Sequence, residues 1–392
     1  MNKHLERALL GAFLLAVLSS VAASISLEQS FLAVAAILWI VLLVQKRRRL
    51  EVPAFFWPLL VYAGVSLLSS AFSVNPGMSF TDSGELALFL AVPVALAALR
   101  RRTDLELALG ALLVSSFVNT VHALGYQVLK AGPDERVEGF MAHYMTQAGL
   151  LAVFAAFALG IVLFRSGWTR IAWAAGFFLA AAALFITYTR SSWIGLGVAF
   201  CAVLLFWKPK ALALVPVLAG LAYLAAPQPV KTRAVDAFTG RNISNTARVQ
   251  YAKAGFKIAV DYLPFGTGPD TVDMVFQNPK YGLGEFAKRN VHLHSNVVQI
   301  AAERGPFSLA AWLAFVVLAF SGLWKIARRN PRIPGDGTAE GRALAVGALA
   351  ALSAFFVAGF FEYNFGDSEI TLLLLVVLTL PFASRLLVKG GD

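Results

Sequence analysis

Residues 171–207 read IAWAAGFFLAAAALFITYTRSSWIGLGVAFCAVLLFW, and Arg190 is the only charge among them. On either side of that arginine lies an apolar run close to the roughly 20 residues that a helix needs to cross a bilayer core. The same pattern recurs outward in both directions. Further runs fall at about 8–27, 29–45, 54–73, 83–99, 105–129, 141–164, 211–226, 305–327, 342–361 and 368–386. Over the 392 residues, 58% are hydrophobic and 14% charged, against roughly 25% charged in a soluble domain, and the mean hydropathy is +0.71. These values exclude a water-soluble fold, a disordered chain, a collagen-like chain and a coiled coil. The lone Cys201 excludes an internal disulfide and a cysteine-based zinc site. The prediction is an all-α polytopic integral membrane protein of about twelve transmembrane helices, organised as spans over 1–226, a long outer loop over 227–304 and spans over 305–392.

Basic residues near the membrane concentrate in cytoplasmic loops. Lys46–Arg49, Arg100–Arg102, Arg165 with Arg170, Lys208 with Lys210, and Lys325, Arg328, Arg329, Arg332 and Arg342 all fall in the even-numbered connections. The short odd-numbered connections hold only Lys130, Arg136 and Arg190. Both termini are therefore expected in the cytoplasm and the loop 227–304 on the outer side. Val21-Ala22-Ala23-Ser24 has the look of a signal-peptidase site, but the apolar stretch continues past Ser24, so an uncleaved first span is expected. The two halves show no strong internal repeat of the kind many transporters carry.

The outer loop has helix punctuation. Ser244-Asn245-Thr246 is an N-cap cluster leading into Ala247–Tyr262, an amphipathic helix in which Val249, Ala252, Phe256 and Val260 recur at helical spacing before Pro264. Pro264-Phe265-Gly266-Thr267-Gly268-Pro269-Asp270 is turn-rich, and without a following Lys-Ser or Lys-Thr it is no nucleotide phosphate loop. A second helix is predicted over Leu293–Arg304, with His294, Val297, Val298 and Ala301 on one face. His292 and His294 lack the i, i+4 spacing of a helical zinc pair, so no metal is expected. Asp270 with Asp273, or Asp367 with Glu369, are the acid pairs that would offer one.

His294 sits at the outer membrane surface amid basic residues, and an imidazole there suits a general base. Surrounding positive charge would favour its neutral form. Arg136, Arg190 and Arg248 stand on the outer side outside any basic run. A guanidinium grips phosphate oxygens through paired hydrogen bonds, and a charge near membrane depth marks a substrate path; headgroup snorkelling is the alternative. Outside the cytoplasm a synthetic reaction needs a pre-activated, lipid-linked substrate, and a polyprenyl diphosphate fits. Arginines could replace a divalent metal at the leaving group.

Thr189-Arg190-Ser191-Ser192-Trp193-Ile194-Gly195-Leu196, then Pro264–Pro269, then His292-Leu293-His294-Ser295-Asn296 with Glu303-Arg304-Gly305 behind it, resemble in order and spacing the O-antigen ligase and polymerase superfamily. The span pattern resembles the ligase branch. The resemblance implies a GT-C-like, metal-independent, inverting glycosyltransferase without a cofactor, in the bacterial inner membrane. Its donor would be undecaprenyl-diphosphate-linked O-antigen and its acceptor the lipid A-core oligosaccharide, joined at the periplasmic face. Membrane lipids, and no nucleic acid, would be its other partners. On that pattern His294 would be the base, Arg190 and Arg248 would hold the diphosphate and Arg136 would match a further outer-loop arginine. His292 and Asn296 would give support, Ser295 standing where the family often has Asn directly after the His. An O-antigen polymerase or a protein O-oligosaccharyltransferase would share the donor. A twelve-span small-anion transporter would instead line a pore with the same arginines, but its interior polar candidates are few: Asn119, His122, His143 and Gln147.

Overall fold

A computed structural model describes residues 2–22, 25–47, 50–129, 136–141, 143–226, 228–236, 243–329 and 338–390. Ala23 and Ser24 of the candidate cleavage site, and the basic Arg48, Arg49, Lys130 and Arg332, lie outside these residues. The described chain is helical: α1 (Asn2–Ala22), α2 (Ile25–Val44), α3 (Phe56–Ala71), α4 (Pro76–Asp82), α5 (Ala91–Ala98), α6 (Arg102–Leu129), α7 (Tyr144–Phe164), α8 (Thr169–Ile186), α9 (Arg190–Trp207), α10 (Val215–Ala225), α11 (Gln228–Asp236), α12 (Ile243–Asp261), α13 (Val272–Phe276), α14 (Asn296–Ala327), α15 (Thr338–Ala358) and α16 (Ser368–Gly390). Among the described residues nine helical stretches are long and apolar enough to cross a membrane. Two further apolar stretches, Phe56–Ala71 and Pro209–Ala225, are shorter. The chain is a polytopic helical membrane protein.

With lipid as apolar as leucine, helices in a bilayer associate through close backbone packing at small residues. The centre follows that rule. A Cβ on Gly160 of α7 would lie 2.3 Å from the Cα of Gly347 in α15, and one on Gly195 of α9 would lie 2.6 Å from the carbonyl oxygen of Ala354 in α15. The glycines therefore let α7 and α9 seat directly on α15. Around this centre α16 is nearly buried, α1 pairs with α2, and α3 packs on α14.

Residues 243–304 fold as a small unit with its own core, built from Ala247, Tyr251, Ala254 and Ile258 of α12, Val272 and Phe276 of α13, and Tyr281, Leu283, Leu293 and Ala302. This corrects the reading of the amphipathic helix. The stripe of Val249, Phe256 and Val260 that periodicity selects faces outward, and the opposite face of Ala247, Tyr251, Ala254 and Ile258 is buried, with α12 approaching α14 closely at Gly255, where a Cβ would lie 2.2 Å from Val298 Cγ1. Ser244-Asn245-Thr246 lies inside the first turn of α12, which already begins at Ile243.

The predicted helix Leu293–Arg304 and the tenth apolar run are one element. α14 starts at Asn296 and continues through a kink at Gly305 (φ 75°, ψ 176°) followed by Pro306. His294 lies before this helix with φ at +49°, so it shares no helical face with Val297 and Val298.

Candidate functional site

The turn-rich stretch 264–270 is a clasp. Thr267 N donates to Ala302 O (3.0 Å) and Gly268 N to Glu303 O (2.9 Å), while Val74 N donates to Thr267 O (2.9 Å) and Ser79 Oγ to Pro269 O (2.7 Å). It thus ties the outer unit both to the kink of α14 and to the segment after α3. Gly266 (φ +78°) has no space for a side chain, since a Cβ would lie 2.4 Å from the Glu303 carbonyl carbon. The buried Arg304 guanidinium donates to Glu303 (3.0 Å) and Tyr363 Oη (2.9 Å) and to the partly exposed Asp82 (2.8 Å). This clasp and ion network fix where α14 begins.

His294 follows from that placement. Asn296 N donates to Gly359 O (2.7 Å), Asn296 Nδ2 donates to Asn364 Oδ1 (2.7 Å) and Phe365 N donates to Asn296 Oδ1 (3.1 Å). Asn296 therefore latches the start of α14 onto residues 359–365, the link between α15 and α16. That link carries Glu362, whose two carboxylate oxygens lie 3.1 and 3.0 Å from His294 Nδ1. With Nδ1 bearing the proton, the ring donates to Glu362 and Nε2 is left as the acceptor. Both side chains are largely buried, and a positive φ at a non-glycine residue costs free energy that this bonding offsets. Burial pushes the Glu362 carboxyl up, but the His294 hydrogen bond and charge, with the charge of Arg248, outweigh it and hold the group below the usual carboxylate range. The nearest charge to His294 is thus a carboxylate, where the sequence suggested basic surroundings.

Arg248 and Tyr251 are one turn apart on α12. The Tyr251 ring centroid is 5.3 Å from that of His294. Burial pushes the Tyr251 phenol up, opposed by a hydrogen bond from Asn290 Nδ2 (2.7 Å), and both Glu362 and Arg248 act on it. Among the described residues Arg248 Nε has no hydrogen-bond partner. Arg190, the first residue of α9, donates from Nη2 to Asn245 Oδ1 (3.2 Å), and Asn245 is one turn before Arg248. The helix N-terminus beneath Arg190 adds to the positive field there.

Arg136 stacks over the Tyr144 ring, its Cζ 4.1 Å from the centroid. Neighbouring His143 connects it to the rest: burial pushes this imidazole down, Glu362 and Glu138 oppose that, and His294 and Arg136 reinforce it. His292 feels the charges of Glu362 and His294 but makes no hydrogen bond to Glu362. Its ring meets Tyr363 edge-on at 5.4 Å, its Nδ1 has no partner among the described residues, and burial pushes its pKa down.

Of the acid pairs considered for a metal, Asp367 accepts a hydrogen bond from Thr146 (3.2 Å) and Asp270 is pushed up by burial and by Asp82 and Asp273. No group of three His, Cys, Asp or Glu among the described residues is arranged to hold a metal ion. His122, exposed, stacks on Phe140 at 3.8 Å, whereas Asn119 Nδ2 donates to Gln147 Oε1 (3.2 Å) inside the helix bundle, where both are buried.

Residues 175–313 match the O-antigen ligase family. The match runs from α8 through the outer unit into the kinked α14. It takes in Arg190, Arg248, His292, His294 and Asn296, and leaves out Arg136 and Glu362. It supports the O-antigen ligase and polymerase superfamily and a coarse glycosyltransferase activity on lipid-linked glycans. No curated protein matches the chain. Glu362 is the residue that sequence reasoning missed; its one signal was an acid in the short link after an apolar run.

Proposed function

We propose that the protein is an O-antigen ligase that moves a glycan from undecaprenyl diphosphate to the lipid A-core oligosaccharide at the periplasmic face of the inner membrane, with twelve spans and both termini in the cytoplasm. In this reading an acceptor hydroxyl attacks the anomeric carbon from the face opposite the diphosphate, inverting it. Its proton passes to His294 Nε2 and the C–O bond to the diphosphate breaks. Arg190 and Arg248, with Arg136 at the rim, hold the departing charge without a metal. The observation that carries this is the His294 Nδ1 contact with Glu362 at 3.0 Å, with His294 and Arg248 inside the stretch that matches the family and Glu362 beyond it. A base needs its second nitrogen oriented and a leaving diphosphate needs fixed cations, and these residues supply both.

The test uses the full chain in lipid with undecaprenyl-diphosphate-linked glycan and rough lipopolysaccharide, without divalent metal. Joined product from the wild type and none from His294→Ala is expected. Lengthening of the glycan on its carrier would make the protein a polymerase, and glycan on a Ser or Thr hydroxyl a protein glycosyltransferase.

A further inference from the structure

The outer face of α12 is unusual for a helix beyond the spans. Val249 (55% exposed), Phe256 (72%) and Val260 (52%) fall within about 40° of arc on a helical wheel. Leu263 (57%) continues the line past the helix end. The opposite face is already spent on the core of the outer unit through Ala247, Tyr251, Ala254 and Ile258. The stripe does not stop there. Phe265 stacks on Phe72 with centroids 4.9 Å apart and planes 9° apart, and Phe72, 66% exposed, ends an exposed apolar face that carries Leu67 and Leu68 of the apolar helix α3. Lys253 and Lys257, both exposed, lie along one flank of the stripe, where their stems cover apolar surface and their ammonium groups reach phosphates.

We propose that α12 lies on the bilayer surface, with Val249, Phe256, Val260 and Leu263 in the acyl boundary and Lys253 and Lys257 at phospholipid headgroups. The continuity with the exposed apolar face of α3 selects lipid as the occupant, and the flanking lysines match its charge. Arg248 occupies the other flank, between the membrane stripe and the buried face. Seating α12 in this way therefore fixes the depth of Arg248 and Tyr251 relative to the headgroups. The inference rests on the chain being embedded in a membrane and not on the transfer reaction.

The full chain, with Cys201→Ser and one added cysteine at Val249→Cys, Phe256→Cys, Val260→Cys or Glu285→Cys, is nitroxide-labelled in vesicles of phosphatidylethanolamine and phosphatidylglycerol. Power saturation then compares collisions with oxygen, which partitions into lipid, and with a water-soluble nickel chelate. At 249, 256 and 260 oxygen collisions are expected to exceed nickel collisions several-fold, with the reverse at 285. Lys253→Glu with Lys257→Glu should shift the 256 label towards nickel. Equal nickel access at 256 and 285 would overturn the proposal. So would exclusion of both reagents, with spin–spin broadening identifying a second copy as the cover. Three label positions guard against a single misfolded variant, and no glycan transfer is read, so failure of the ligase assay leaves this result standing.

Discussion

His294 and Glu362 are 68 residues apart in sequence and meet across two carboxylate oxygens at 3.1 and 3.0 Å from one ring nitrogen. The contact is held from both sides by Asn296, which bonds to Gly359, Asn364 and Phe365. An imidazole oriented in this way has one nitrogen committed and one available.

Glu362→Gln keeps the shape and removes the charge that selects the tautomer. Transfer kcat is expected to fall by about 10²-fold or more, the scale of general-base contributions, with the donor KM little changed. His292→Ala, which leaves the pair intact, should retain most activity. Parallel steady-state assays of both variants against wild type check this, and an inactive His292→Ala with an active His294→Ala would reverse the assignment.

The Glu362 carboxyl lies below the usual carboxylate range, so the unfolded state takes up a proton at a higher pH than the folded state does. The stability this confers is fully present above the ordinary glutamate value of about 4.3 and is lost as pH falls through the lower folded value. Thermal unfolding in detergent between pH 7 and 3.5 should show this loss, and Glu362→Gln should flatten the acid limb relative to wild type.

Arg190 donates to Asn245, which lies one helical turn before Arg248 on α12. Lysine keeps the charge at either position but forfeits the fork that binds two phosphate oxygens. Arg190→Lys and Arg248→Lys should each raise the donor KM by about 10- to 100-fold, the equivalent of one lost charged hydrogen bond, while the acceptor KM moves little. An equal rise for both substrates would point to a general distortion.

At Gly266 a methyl group meets the Glu303 backbone at 2.4 Å and the residue holds φ at +78°. Gly266→Ala should cost at least ~2 kcal/mol, combining the left-handed penalty with overpacking. A depressed unfolding midpoint would check it, and Gly282→Ala, where no atom lies within 4 Å, is the control for φ alone.

A polytopic helical architecture was legible because bilayer thickness imposes a run length on the sequence, and nine helical stretches among the described residues are long and apolar enough to cross a membrane. His294 was singled out as an imidazole suited to general-base work, and Arg190 and Arg248 as arginines outside any basic run. Glu362 was not, since its significance lies in a contact between distant segments that no local spacing encodes. The α12 stripe misled for a physical reason: a second apolar face, with Ala247, Tyr251, Ala254 and Ile258, lies opposite it, and the close approach to α14 at Gly255 decides which face is buried. The helix start near His294 was misplaced because the left-handed φ at that residue is set by its partners and not by its own preference.

The link that carries Glu362 lies between the last two helices of the chain. During synthesis, His294 is made 68 residues before Glu362, ahead of α15 and of the link that follows it. The histidine thus stays without its carboxylate until α15 and α16 have been inserted and Asn296 has closed on Gly359. A nascent or prematurely ended chain would carry the arginines and the histidine but not the finished pair, so the order of biogenesis itself defers the site's completion to the final hairpin.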